Sequence, residues 1–151
     1  MTIQEKIQIE AIKYPGDYKI CPYELYTLIT DGTYGVYLDE WMIDKSKYEV
    51  DEGLKELNPW EIEKKAAETK ITKEAISFGK DIVHAAITAA GKKIWVRESH
   101  IKKFGKNKIY EIANVEQGNI ILVRDPEIGE IIGMIREVKD IEVHKSEMFS
   151  W

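Results

Sequence analysis

Apolar and polar residues alternate along residues 23–38, and this pattern predicts two β-strands. The first reads Tyr-Glu-Leu-Tyr-Thr-Leu-Ile-Thr and the second reads Thr-Tyr-Gly-Val-Tyr-Leu, with Asp31-Gly32 between them. An Asp-Gly pair favours a two-residue type I′ turn, because glycine readily adopts the positive φ that this turn requires. The sequence therefore predicts a β-hairpin with Asp31-Gly32 as its turn. Residues 7–11, which precede it, are compatible with either a strand or a helix.

Between residues 59 and 90 the apolar spacing is typical of helices instead. Asn58 and Pro59 are suited to the N-cap and first position of a helix that continues to about Thr69. From residue 72 to residue 90 apolar residues recur at three- and four-residue steps, which predicts a second, well-buried helix that Gly91 ends. Residues 39–56 are acidic and irregular in pattern, and we expect a solvated connection there.

The last third of the chain predicts a strand, a short helix and three further strands. The helix is expected from Ser99, as its N-cap, to Gly105. The strands are expected at residues 93–97, 108–115, 119–124 and 130–136, with another possible at 140–144. No linker or low-complexity segment interrupts the sequence. We therefore predict one α+β domain over residues 1–151, with antiparallel strands and two to three helices.

Composition restricts the class of protein. The chain has 151 residues, of which 44% are hydrophobic and 32% charged, as in ordinary globular domains. The single cysteine, Cys21, cannot form an internal disulfide, and we expect a buried, unreactive thiol. The first residues contain no apolar run typical of a signal peptide. These features predict a cytoplasmic protein without a membrane partner.

Positive charge is concentrated in residues 92–108, which we name the basic segment. This segment has a net charge of +6, whereas the whole chain has a net charge of −5. Its cations are Lys92, Lys93, Arg97, Lys102, Lys103, Lys106 and Lys108. Such a segment is suited to the phosphate backbone of duplex DNA, and a lysine-dominated surface would bind it without sequence preference. Plain solvated surface is the alternative, because a lysine-rich chain also produces clusters by chance.

Catalytic patterns are weak in this sequence. On the predicted second helix Ser77, Asp81 and His84 would share a face, but parallel side chains on one helix do not form a catalytic triad. The three histidines lack the spacing of a zinc site. We therefore predict no catalytic residue, no metal site and no cofactor.

A metal-dependent nuclease is the least favoured alternative. Asp125 followed by Glu137-Val-Lys139 matches the Asp…Glu-x-Lys pattern of such enzymes. In the predicted hairpin, however, Asp125 and Glu137 lie at opposite ends, roughly 20 Å apart. The two carboxylates would then be unable to share a metal ion.

Two stretches resemble the domains of the bacterial sliding clamp, the ring subunit that tethers DNA polymerase. One is Leu28-Ile-Thr-Asp-Gly-Thr-Tyr-Gly-Val-Tyr, and the other, within residues 94–138, includes His100-Ile-Lys-Lys-Phe and Gly133-Met-Ile-Arg-Glu-Val. The resemblance implies β-α-β-β-β halves and a non-enzymatic, replication-associated homo-oligomer. It also implies that basic residues, here Lys102, Lys103 and Lys106, face duplex DNA.

Two other hypotheses also fit the sequence. Residues 120–141 also resemble the end of a nucleotide-sensing CBS repeat. A small regulator or inhibitor that binds a replication or other host protein through acidic and aromatic surface is the alternative function, and Phe149 and Trp151 are its candidate contact residues. The excess of Ile over Leu and of Lys over Arg indicates AT-rich coding sequence, which is compatible with a low-GC bacterium or a virus of one.

Overall fold

The fold consists of two β-sheets with short helices packed around them. The structure is a computed structural model and describes residues 1–139. The helices are α1 (Ile3–Lys13), α2 (Pro59–Ile62) and α3 (Glu98–Phe104). The strands are β1 (Lys19–Pro22), β2 (Tyr26–Thr30), β3 (Tyr34–Asp39), β4 (Glu49–Val50), β5 (Ala67–Thr69), β6 (Ile71–Phe78), β7 (Asp81–Ile87), β8 (Lys93–Arg97), β9 (Ile109–Val115), β10 (Gly118–Asp125) and β11 (Glu130–Arg136). Short 3₁₀ turns occupy Pro15–Asp17, Glu40–Met42, Lys45–Lys47, Glu52–Leu57 and Glu63–Lys65. The predicted α+β class is confirmed.

The larger sheet has eight strands in the order β4-β1-β2-β3-β11-β10-β9-β5, and the smaller has three in the order β6-β7-β8. All neighbouring strands are antiparallel except β1 and β4. The centre of the larger sheet joins distant parts of the chain, because Val36 of β3 lies opposite Gly133 of β11. The order β8-α3-β9-β10-β11 is the strand, helix and three strands that the sequence predicted, although β8 belongs to the smaller sheet.

Both faces of the larger sheet are buried, as the alternation of its side chains shows. On β10, Ile121 and Val123 belong to a cluster that includes α1 and the inner face of the smaller sheet, where Ile94 and Val96 lie. Their neighbours on β10 belong to a second cluster on the opposite face, which residues 54–62 cover. Successive side chains of a strand point to opposite faces of the sheet, so a single strand contributes residues to both clusters.

Of the two helices predicted between residues 59 and 90, the first is much shorter than predicted and the second is wrong. Asn58 does cap a helix, since its Oδ1 accepts a hydrogen bond from Trp60 N, but α2 ends at Ile62. Residues 67–87 form β5, β6 and β7, and Gly79, with a φ of +62°, turns the chain between β6 and β7. Strand β7 lies between β6 and β8, so its apolar residues are divided between two faces rather than gathered on one side of a helix.

Several local predictions need smaller corrections. The hairpin at residues 26–39 is confirmed, but Thr30 lies opposite Gly35, so its turn is longer than Asp31-Gly32. Only Gly32 in this turn has a positive φ, at +100°. Ser99 does not cap α3, because its hydroxyl donates a hydrogen bond to Asp81 Oδ2 at 2.7 Å.

The remaining segments add detail to the prediction. Residues 3–13 are helical, and the connection over residues 39–56 contains β4 and places Leu54 in the core. Within the described part of the chain, no helix combines the length and the apolar character needed to cross a membrane. The possible strand at residues 140–144, and Phe149 and Trp151, lie outside the described residues.

Candidate anion-binding surface and cleft

The structure divides the basic segment into two groups of cations. Lys92 and Lys93 lie at the start of β8, and Arg97 lies at its end. Lys93 and Arg97 are four residues apart, about 13 Å along an extended strand. Lys102 and Lys103 are on α3, and Lys106 and Lys108 lie on the connection that follows. The segment is therefore an elongated surface that ends in a group of four lysines, which we name the α3 lysine group (Lys102, Lys103, Lys106 and Lys108).

Ion pairs neutralise part of this charge. Lys93 Nζ lies 2.8 Å from Glu74 Oε1, and Arg97 Nη1 lies 3.7 Å from Asp81 Oδ2. Lys102 Nζ is 3.8 Å from Glu98 Oε2, one turn earlier on α3. The other cations of the segment form no ion pair with a described residue. Most of the available positive charge is thus in the α3 lysine group.

Helix α3 holds two members of this group, Lys102 and Lys103, on a firm support. Phe104 is buried and Ile101 half-buried, whereas Lys102 and Lys103 are exposed on the outer side, as predicted. Lys103 Nζ also lies 5.2 Å from the centre of the Tyr34 ring, within cation–π range. Gly105, with a φ of +81°, ends the helix, so Lys106 follows α3 rather than belonging to it.

A cleft of about 590 Å³ opens beside the basic segment. It lies where the end of β8, the β2–β3 turn, the β9–β10 turn and the residues after β11 meet. The charged and polar side chains that line it include Arg97, His100, Asn119, Arg136, Glu137 and Lys139. Only Arg97 among these was a candidate site residue in the sequence.

Hydrogen bonds position the residues that follow β11 in this cleft. Glu137 Oε1 accepts a hydrogen bond of 2.9 Å from Asn119 N, and Lys139 Nζ donates one of 2.6 Å to Gln117 O. Gly118, with a φ of +123°, permits this close approach. A Cβ at residue 118 would lie 2.9 Å from Glu137 Oε1 and 3.2 Å from Lys139 Nζ.

His100 forms part of the cleft wall and is only 9% exposed. The Thr33 hydroxyl donates its proton to Asp31 Oδ1 at 2.7 Å, so its oxygen accepts from His100 Nε2, 3.3 Å away. The buried Nδ1 then carries no proton and has no hydrogen-bond partner among the described residues. Burial lowers the pKa of His100, which keeps the imidazole neutral near pH 7.

This burial predicts a pH dependence of stability. Burial, Arg97 and Lys103 lower the pKa of His100, while Asp31 and Asp81 oppose them, and the net direction is downward. Below the ordinary pKa of 6.5 the unfolded chain takes up a proton at residue 100 more readily than the folded one. The free energy of unfolding should therefore fall as the pH drops below 6.5, and His100→Gln should make that fall smaller. Urea unfolding of both proteins over this pH range measures the difference, and equal slopes would contradict the assignment.

The residues considered for catalysis do not form a catalytic arrangement. His84 Nδ1 lies 3.1 Å from Thr72 O and its Nε2 lies 3.3 Å from Glu98 Oε1, so its hydrogen bonds do not involve Ser77. Cys21 is buried, which raises the pKa of its thiol, as expected for an unreactive cysteine. Residues 1–139 contain no group of three His, Cys, Asp or Glu side chains suited to a metal ion.

The nuclease pattern is also separated in space. Asp125 lies opposite Glu130 at the turn of the β10–β11 hairpin, whereas Arg136, which precedes Glu137, lies opposite Ile120 at the other end. Asp125 and Glu137 are therefore at opposite ends, as expected.

Comparison with known proteins gave no relative. The sequence matches no protein-family model and no curated protein, and the structure matches no solved structure.

Proposed function

We propose that this chain is a non-enzymatic cytoplasmic domain that binds the phosphate backbone of duplex DNA without sequence preference. The observation that carries the proposal is the α3 lysine group. Three of its lysines, Lys103, Lys106 and Lys108, form no ion pair with a described residue, and Phe104 anchors the helix that begins the group. Cations held on a firm element can replace the counterions of DNA without first having to be ordered.

Electrostatics determines how this binding should depend on salt concentration and on DNA sequence. Four phosphate contacts would give a slope of log affinity against log salt of about −3.6 for duplex DNA. Lysines act as point charges rather than as readers of base edges, so different sequences should bind equally. The net charge of −5 repels DNA elsewhere on the surface, which keeps the affinity low and favours one orientation.

The resemblance to sliding clamps supplies a more specific form of the proposal. The element order β8-α3-β9-β10-β11 supports it, as does the position of Lys102 and Lys103 on the outer side of α3. In this form several copies would assemble around the duplex with α3 facing the DNA, in association with replication proteins. A defined homo-oligomer in solution is its requirement, because a closed ring needs a fixed number of subunits.

Charge reversal in the α3 lysine group tests the proposal. The double variant Lys102→Glu with Lys103→Glu should bind a fluorescent duplex more weakly and flatten the salt slope by about 2, because two phosphate contacts are lost. Fluorescence anisotropy across a range of salt concentrations measures both quantities. The proposal fails if wild-type binding is independent of salt or if this variant binds as the wild type does.

A second pair of adjacent lysines provides the matched control. Lys64→Glu with Lys65→Glu makes the same charge change in the short turn that follows α2, outside the basic segment. This control should keep the wild-type salt slope. If both double variants lose the same affinity, the effect comes from net charge rather than from the α3 lysine group.

One observation favours the alternative of a small, possibly viral, protein-binding regulator. Trp41 is 82% exposed and lies beside the acidic residues Asp39 and Glu40. Exposed tryptophans are enriched among the residues that dominate protein interfaces. This alternative requires no oligomer and no affinity for DNA, so the solution mass and the salt titration distinguish the two functions.

A further inference from the structure

The cleft beside the basic segment has an excess of positive charge. Arg97, Arg136 and Lys139 line it, and Glu137 is the one carboxylate among its described lining residues. The three cations come from the ends of β8 and β11, which lie in different sheets. Like charges gathered in a partly enclosed space repel one another, and an anion between them would offset that cost.

Arg136 lines this cleft and also a neighbouring pocket that Asp17, Asp31 and Asp51 line. It is half-buried, and its guanidinium forms no hydrogen bond or ion pair with any described residue. Arginine presents five N–H donors in a rigid planar arrangement that matches two oxygens of a phosphate group. Such a guanidinium could form charged hydrogen bonds with a bound anion.

The other charged groups leave room for an anion. No ion pair joins Glu137 to Arg136, and Glu137 Oε1 accepts hydrogen bonds from the main-chain and side-chain nitrogens of Asn119. Lys139 Nζ gives one of its three N–H groups to Gln117 O and retains two. Arg97 Nη1 lies 3.7 Å from Asp81 Oδ2, and the Arg97 guanidinium carbon lies 5.2 Å from the centre of the Phe78 ring.

We infer that this cleft binds the phosphate group of a small molecule, either a free phosphate ion or a phosphate monoester such as a mononucleotide. Arg136 contacts two phosphate oxygens, and Arg97 and Lys139 supply the remaining charge. The volume of about 590 Å³ lies within the range of small-molecule sites and exceeds the size of a phosphate ion. The α3 lysine group, which carries the proposed DNA binding, contributes no residue to the cleft, whereas Arg97 of the basic segment does.

Isothermal titration calorimetry of the full chain with three probes tests this site. Inorganic phosphate and adenosine 5′-monophosphate should bind, whereas adenosine, which lacks the phosphate, should not. Tighter binding of the nucleotide than of phosphate would identify a monoester as the ligand, and equal binding would identify the phosphate ion. Absence of binding by both phosphate compounds, or equal binding of adenosine and its monophosphate, would overturn the inference.

Side-chain variants show whether binding occurs in this cleft. Arg136→Gln should weaken phosphate binding by about tenfold or more, as expected for a lost charged hydrogen bond, and Lys139→Gln should also weaken it. Lys13→Gln removes the same charge from the last turn of α1, outside the cleft, and should bind as the wild type does. Arg136→Gln removes no hydrogen bond to a described residue, so thermal unfolding should show that it folds normally.

A second measurement does not depend on these variants. His100 lines the same cleft, so a bound phosphate should raise the pKa of His100, which NMR detects as a shift in the titration of its ring protons. An unchanged titration at saturating phosphate would place any bound phosphate elsewhere.

The DNA-binding variants separate this inference from the proposed function. Lys102→Glu with Lys103→Glu should lose DNA affinity and keep phosphate affinity, while Arg136→Gln should do the reverse. Loss of phosphate binding in both variants would mean that DNA and phosphate share one site, and it would overturn the inference of a separate phosphate site in the cleft. DNA binding without phosphate binding would leave the proposed function intact and remove the cleft alone.

Discussion

Replacing Gly133 with alanine should destabilise the protein by about 3 kcal/mol, at the upper end of the usual cost of overpacking. Gly133 lies in β11 at the centre of the larger sheet, opposite Val36. A Cβ there would overlap the Phe104 ring, with Cζ only 2.6 Å away, and would lie 2.7 Å from the main-chain oxygen of Gly35. The Phe104 ring could move away from the added methyl group. The Gly35 oxygen could not, because it belongs to β3, which is paired with a strand on each side.

Urea unfolding measures this effect, and Gly16→Ala is the matched control. An added Cβ at Gly16 meets no atom within 4 Å, and its φ is not positive, so that substitution should change stability by less than about 0.5 kcal/mol. Adding Phe104→Leu to Gly133→Ala should cost less than the two single changes together, because the second removes part of the overlap. Equal stability of Gly133→Ala and Gly16→Ala would show that the core accommodates the methyl group.

Arg124→Met should cost about 3 kcal/mol, because it leaves a largely buried carboxylate without its cation. Arg124 Nε donates a hydrogen bond of 2.6 Å to Glu111 Oε2, and the guanidinium also contacts Glu63 at 3.3 Å and the main-chain oxygen of Gly129 at 2.8 Å. Only 11% of the Glu111 side chain is exposed. We expect a loss of stability at the lower end of the range known for broken buried ion pairs. The reason is that 22% of the Arg124 side chain is exposed, so solvent weakens the pair.

The matched control is the same substitution at Arg136, which has no side-chain partner among the described residues. Arg136→Met should change the free energy of unfolding by less than about 0.5 kcal/mol in urea. Combining Arg124→Met with Glu111→Met should recover part of the lost stability, because no buried charge then remains unpaired. If the double variant is less stable than Arg124→Met, the Arg124–Glu111 pair does not explain the loss.

Local signals were sufficient to predict six of the strands outside the middle of the chain, whereas β1 and β4 were not predicted. The β2–β3 hairpin and the strands from β8 to β11 follow alternation and turn residues that operate over a few positions. The middle of the chain was mispredicted because Ala, Ile, Lys and Glu also form helices, and apolar steps of three and four match one helix face. Gly79 was the signal against a helix, since it marks the turn from β6 to β7. Strand β7 is central because β6 and β8 pair with it on both sides. The spacing of apolar residues within β7 does not reveal these partners.

The sequence likewise predicted only part of the candidate site. Counting charges identified the basic segment, but it could not show that Lys93 and Arg97 are paired with acids from β6 and β7. Arg136 and Lys139 lie in acidic surroundings in the sequence and meet Arg97 only through the tertiary fold. Gly118 marks a turn in the sequence, but nothing near it in the sequence shows that residues 137–139 approach it.

The pairing of β3 with β11 has a consequence for how the chain is made. Strand β3 can pair with β2 soon after the ribosome releases it, but its other partner, residues 133–135, is synthesised almost a hundred residues later. During that interval β3 has an open edge with apolar side chains beside it, which is the type of surface that promotes association between nascent chains. Closing so long a loop is entropically slow, so the larger sheet should be completed late, with the β9–β11 strands forming first as a local unit.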